Sequence, residues 1–233
     1  MIRGGMPQWQ LPELHPSGMS ASNRAPSGDG GERTLQRLER LTEVVYGLTL
    51  LLLLFQLRRP DPALLATSTD LHKFLLDQLP SLRIYITSFV LVVFYWQSHL
   101  GLFSRFRKSD GVLVWLQLGS LMGVALLPFV NDLLEDFPID ATVQVIYSVV
   151  LVYIGVFDIL TLIHAWRCPD LLEQSLPSGR LIHVVAETAA EPLVCGASIG
   201  VTLLISPAWW EWTFLLLIPA YGLLWLSAKR GKG

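Results

Sequence analysis

Six stretches of this chain are long and apolar enough to cross a bilayer, which constrains the fold more than any other feature. A transmembrane helix needs about 17–25 mostly apolar residues. Leu41–Leu57, Ile84–Phe103, Val112–Val130, Val143–Ala165, Leu181–Ile205 and Trp209–Leu226 each qualify. The fifth is the least regular, because its first half carries His183, Glu187 and Glu191. Only 15% of the 233 residues are charged, against about 25% in a soluble domain. The expected fold class is therefore all-α, a polytopic membrane protein with six transmembrane helices per subunit.

The loops carry the orientation signal. On one side lie Arg33, Arg37, Arg40, Arg105, Arg107, Lys108, Arg167, Arg180, Lys229, Arg230 and Lys232; on the other lie only Arg58, Arg59, Lys73 and Arg83. Basic residues mark the cytoplasmic side, so both termini are expected there. Residues 1–34 are rich in Gly, Pro and Ser, lack the apolar core of a signal peptide and read as a disordered cytoplasmic tail. Residues 35–228 form the membrane domain and 229–233 a short basic tail. Between the first two spans, Leu71, Phe74, Leu75 and Leu79 share one helical face, so a short interfacial helix is expected there. The stretch "SPAWWEW" has the composition of an aromatic belt. Cys168 and Cys195 show neither disulfide nor zinc spacing. No metal or cofactor is implied, and the dispersed basic residues give no nucleic-acid signature.

The first span opens with "RLERLTE", placing Arg37, Leu41, Thr42 and Glu43 in an R-x-x-x-L-T-E pattern. This resembles the R-x-x-x-F-S-D signature that begins the first helix of the transmembrane protein 175 family, the endolysosomal potassium channel and its prokaryotic relatives. Downstream, "SFVLVVFYWQSHLGLF" resembles the family's second helix, with Trp96 followed three residues later by His99. "WLQLGSLMGVALLPF" resembles its third, with Gln117 where the family usually has asparagine and with Leu127, Pro128 and Phe129 at its end. "FLLLIPAYGLL" is similar to the last helix. The resemblance runs over about residues 35–228 and thins in the fourth and fifth helices.

The resemblance implies a homotetrameric cation channel in a prokaryotic cell membrane, most plausibly permeable to K⁺, with its pore lined by the first helix. In place of a TVGYG filter, Leu48, Leu52 and Phe55 match the family's constriction positions. Their i, i+4 and i+7 spacing puts them on one helix face, and an apolar ring can gate by dewetting. Arg37, Leu41, Thr42 and Glu43, with Trp96 and His99, would form a network bracing the pore helix. At the outer mouth, neutral Gln56 stands where the family often has an acid, and Arg59 adds a positive charge four residues beyond Phe55.

The residues alone leave alternatives open. The first span is apolar all round, as any lipid-facing helix is, and Arg40 with Glu43 is an ordinary i, i+3 pair. His99 by itself reads as an interfacial or satisfied histidine. Asp158 lies inside the fourth span, where an ionisable group is often functional, yet snorkelling to water explains it equally well. Glu187 and Glu191 share a helix face and are expected in an interfacial or intersubunit role. Asp132, Glu135, Asp136 and Asp140 read as a solvated acidic loop, or as a cation-attracting entrance in a tetramer. Two other functions fit: a non-conducting membrane scaffold of the same fold, and a proton pathway or small transporter using the intramembrane carboxylates. No nucleophile–base pair or phosphate-binding loop suggests an enzyme.

Overall fold

The computed structural model describes residues 29–57, 68–173 and 178–222. Its helices are α1 (Asp29–Phe55), α2 (Ser68–Asp77), α3 (Leu79–Phe103), α4 (Gly111–Asp136), α5 (Ala141–Arg167), α6 (Ser178–Leu204) and the single turn α7 (Trp210–Thr213). Short 3₁₀ turns run over Pro169–Leu171, Pro207–Trp209 and Phe214–Leu216. Among the described residues there is no strand, only an isolated bridge between Phe106 and Leu172.

Among the described residues, four helices meet the length and hydropathy needed to cross a membrane: α3, α4, α5 and the Val184–Leu204 part of α6. Of the six expected spans, the first and the last do not meet that measure among the described residues. In α1, an eighteen-residue window ending at Phe55 includes Glu39, Arg40 and Glu43, so only its second half is continuously apolar. In the expected sixth span, which a 3₁₀ turn at Pro207–Trp209 opens, α7 tightens into a 3₁₀ turn at Phe214–Leu216 and runs on into the helical segment 217–222. The last positions of that span, 223–226, lie outside the described residues, as do residues 1–28, the tail 229–233 and the pair Arg58 and Arg59.

α1 begins at Asp29, inside the segment expected to be tail. Its extra turns have tertiary partners, which sustain a helix better than propensity does. The Gly31 carbonyl accepts hydrogen bonds from Ser109 N and Ser109 Oγ, both at 3.1 Å. Leu35 and Leu38 bury themselves against Leu102, Phe103, Leu113 and Leu162 in a core at that end of the bundle. A Cβ at position 31 would come within 3.0 Å of the Ser109 carbonyl, so the close approach needs glycine.

Asp110 and Asp140 start the two helices that follow them. Asp110 accepts from Leu113 N at 2.8 Å, and Asp140 from Thr142 N at 2.8 Å and Val143 N at 3.1 Å, each satisfying orphan N–H groups of a first turn. Most of the acidic loop is thereby absorbed into helix: α4 runs through Asp136, and the connection is only residues 137–140. α5 and α6 cross closely where Gly155 lies under the Pro192 ring, whose nearest atoms would be 2.6 Å from an added Cβ. The larger core, toward the opposite end, is built on Tyr46, Leu91, Tyr95, Val124, Tyr147 and Ile154.

The short helix expected between the first two spans is present as α2, with Leu71 and Leu75 exposed. The aromatic belt is mixed in character. Trp209 and Trp212 are exposed, whereas Trp210 is buried edge-on to Tyr147 and Phe214 and donates from Nε1 to Ser148 Oγ at 2.9 Å.

Candidate pore helix and the polar clusters behind it

α1 has two unlike faces. Leu35, Leu38, Thr42, Tyr46, Thr49 and Leu53 are buried, recurring every three or four residues as a helix packed along one stripe requires. The other face carries Leu48, Leu52 and Phe55, exposed to 53%, 42% and 58%. These three positions therefore turn away from their own subunit's core, together with Val44 and Leu51.

The expected brace is formed differently. Thr42 is buried and donates to the Leu38 carbonyl within its own helix at 2.9 Å. Arg37, Leu41 and Glu43 are exposed, because they fall beside the buried Leu38–Thr42–Tyr46 stripe. The structure does not bring Arg37 or Glu43 to Trp96 or His99. Trp96 is half-buried against the larger core. His99 is buried between Tyr46 and Phe103, with ring centroids 5.5 and 5.3 Å away.

His99 instead faces Asp158, with Nδ1 3.4 Å from Asp158 Oδ1. Asp158 is only 3% exposed and accepts from Ser120 Oγ at 2.9 Å, so it does not snorkel to water. Beside it, Gln117 Nε2 donates to Thr161 Oγ1 at 2.9 Å. Neither His99 nitrogen has a hydrogen-bond partner of proper geometry, and Tyr46 Oη and Gln117 Oε1 are likewise buried without one.

The two glutamates of α6 part company. Glu187 is half-exposed and pairs with Arg105, Oε2 to Nη2 at 3.4 Å. Glu191 is buried inside the subunit, where Tyr221 donates its hydroxyl to it. The expectation of an intersubunit location thus fails for Glu191, whose helix turns it toward the core one turn after Glu187. Cys195, one turn further on, lies 3.7 Å from the Tyr95 hydroxyl.

Just past the Phe55 end of α1, Gln56 is a hydrogen-bonded link between helices. Its amide nitrogen donates to the Pro128 carbonyl and its oxygen accepts from Asn131 Nδ2 at 2.6 Å. Ser88 donates to Asn131, and Tyr147 donates to Ser88 at 2.9 Å. Sequence reasoning missed this chain and most of the Asp158 cluster. The available signal was the recurrence of Gln117, Ser120 and Asn131 at helical spacing along one face of an otherwise apolar α4. Among the described residues, no three His, Cys, Asp or Glu side chains gather in a way that could hold a metal.

Apolar helices of spanning length, an exposed stripe on α1 and buried polar clusters behind it define a multi-pass helical membrane protein. Its fold is that of the TMEM175 channels. A solved structure of a lysosomal potassium-selective channel TMEM175 homologue from Chamaesiphon minutus superposes with a TM-score of 0.69 at 19% identity, covering 82% of this chain and 98% of that one. The family model for the endosomal/lysosomal potassium channel TMEM175 matches residues 37–128, the segment that carries the motif and the first three family helices. A potassium channel of Chamaesiphon minutus is 27% identical over 144 residues, 59% of this chain and 69% of that protein. The human endosomal/lysosomal proton channel TMEM175 is 26% identical over 155 residues, 64% of this chain; the match spans 30% of the human protein's length. The resemblance read from the motif therefore holds in both sequence and fold.

Proposed function

We propose that this chain is one subunit of a cation channel, permeable to K⁺, that assembles as a homotetramer in a prokaryotic cell membrane with both termini cytoplasmic. The single observation that carries the reading is the two-faced α1: its exposed stripe includes all three positions, Leu48, Leu52 and Phe55, that match the family's constriction. Four copies of that stripe around an axis would make an apolar throat, closed to ions when dewetted and open when wide enough to hold a water column. The names of the relatives support the ion class, since they include potassium channels.

Flux from K⁺-loaded liposomes tests this, with a proton-coupled dye reporting the charge-balancing proton entry and valinomycin as the positive control. Dye response before valinomycin, and little response in a Na⁺ gradient, is the expected outcome. Leu48→Cys should react with a small water-soluble thiol reagent in the assembled protein; inertness there, with flux intact, would remove α1 as the lining.

A second reading draws on the buried Asp158, His99 and Glu191. Ionisable side chains inside a membrane domain are costly and mark ion or proton routes more often than soluble ones do. That reading predicts saturable flux that Asp158→Asn abolishes, whereas the pore reading predicts flux that continues.

A further inference from the structure

Deepening that pore reading and resting on it, we propose that Gln56, held by Asn131, Ser88 and Tyr147, is the positioning residue that sets the outer end of the α1 throat. α4 contains Pro128, which has no N–H and so leaves the Val124 carbonyl without its helical donor. α1 occupies that gap: Thr49 Oγ1 lies 3.4 Å from Val124 O. Two turns further along α1, Gln56 bonds the Pro128 carbonyl itself. The proline thus frees one docking point on α4, the Val124 carbonyl met by Thr49, and Gln56, just past the end of α1, holds the other end of that turn.

The hydrogen bonds have a consistent direction. Tyr147 on α5 donates to Ser88 on α3, and Ser88 donates to Asn131 Oδ1 on α4. Asn131 Nδ2 donates to Gln56 Oε1, and Gln56 Nε2 donates to Pro128 O. All four side chains are half-buried or buried. Position 56 must therefore accept and donate at once, which an amide does and a carboxylate does not. A glutamate there would set its charge against the Pro128 carbonyl. Gln56 directly follows Phe55, so any shift of this link moves the outermost residue of the proposed constriction.

The test uses the full-length protein carrying Gln56→Leu, Asn131→Leu, both together, or Gln56→Glu, each with and without Phe55→Cys. Thermal unfolding in detergent should show coupling: the double variant melts closer to wild type than the two single losses add up to, because losing either amide already breaks the bond between them and leaves the other unpaired. In that stable double variant, the rate of Phe55→Cys modification by a water-soluble thiol reagent should change by roughly fivefold, on the scale of one hydrogen bond's net worth in an equilibrium. The K⁺-over-Na⁺ flux ratio should shift with it, and Gln56→Glu should behave like Gln56→Leu. Additive thermal losses would overturn the link. Coupled losses with an unchanged modification rate would reduce the chain to ordinary scaffolding and overturn the positioning role. Absence of wild-type flux would remove the pore reading alone, since the thermal and modification measurements need no conduction.

Discussion

Two polar clusters sit inside this bundle and are built on opposite principles. Toward the end of α1, Gln56, Asn131, Ser88 and Tyr147 are neutral, and each one's donor meets an acceptor. Near the middle, His99, Asp158 and Glu191 are ionisable and crowded with groups that lack partners: Tyr46 Oη, Gln117 Oε1 and both His99 nitrogens. A completed neutral network specifies geometry at low risk, because nothing in it is left desolvated and alone. A partly satisfied ionisable cluster costs folding free energy. The first therefore serves as a fastener between helices. The second is where this chain carries an expense that stability does not require, which is why it supports the second functional reading.

The largest effect should come from breaking the costly cluster on one side only. Asp158→Ala removes the acceptor of Ser120 Oγ and the polar group opposite His99, and each buried polar group left unpaired costs about 1–3 kcal/mol. Tryptophan fluorescence during thermal unfolding in detergent reads it. Asp158→Leu combined with His99→Leu should restore part of that loss, since two apolar groups then face each other with no buried polar atom between them. If the double replacement instead costs the sum of the singles, the pair is not the unit described here.

A smaller effect distinguishes an end of the neutral chain from its middle. Tyr147→Phe removes only the terminal donor; Ser88 still donates to Asn131, and the ring still packs against Trp210. The loss should be about 0.5–1.5 kcal/mol, the net worth of one hydrogen bond, with Phe55→Cys modification close to wild type. A change in modification as large as that from Gln56→Leu would mean that the chain transmits along its whole length and that Gln56 holds no special place.

The sequence disclosed the lengths of these helices far better than their rotations. α3, α4 and α5 contain the spans expected of them because continuous apolar runs report how far a helix extends, and Asp110 and Asp140 mark where α4 and α5 begin. In α1, residues 48 and 50–54 are apolar all round, so nothing local distinguishes the face that packs from the face that stays exposed. The buried side is chosen by partners distant in sequence: the Val124 carbonyl released by Pro128, the His99 ring under Tyr46 and the Asn131 amide. For the same reason Arg37 and Glu43 were expected inward, and Asp158 was balanced between burial and snorkelling. A motif carries the identity of its residues but not the side of the helix on which a given chain presents them. The 3₁₀ turn inside the sixth segment was hidden for a different reason: it changes the local hydrogen-bond spacing and leaves apolar composition unaltered.

A second histidine–aspartate pair refines the comparison, since it uses the same two side chains at the edge of the bundle. His164, in the last turn of α5, has Nε2 2.9 Å from Oδ2 of Asp110, the residue that caps α4. Partial burial raises the Asp110 pKa, but the Leu113 N–H and His164 together outweigh it and hold the carboxyl below its ordinary 3.8. A depressed carboxylate stabilises the fold above its unfolded-state pKa, and that contribution disappears as pH falls through the native value. Asp110→Asn keeps a side-chain oxygen for the cap and loses the charge, so the gap in thermal midpoint between wild type and variant should be present at pH 5 and close below about pH 4. With Asp110 only partly buried, solvent screens the pair and the gap should correspond to less than about 1 kcal/mol, the smallest of these effects. A gap that persists unchanged down to pH 3 would mean that Asp110 acts through its shape and its cap alone. The exposed pair would then offer no electrostatic reference against which to judge the buried one.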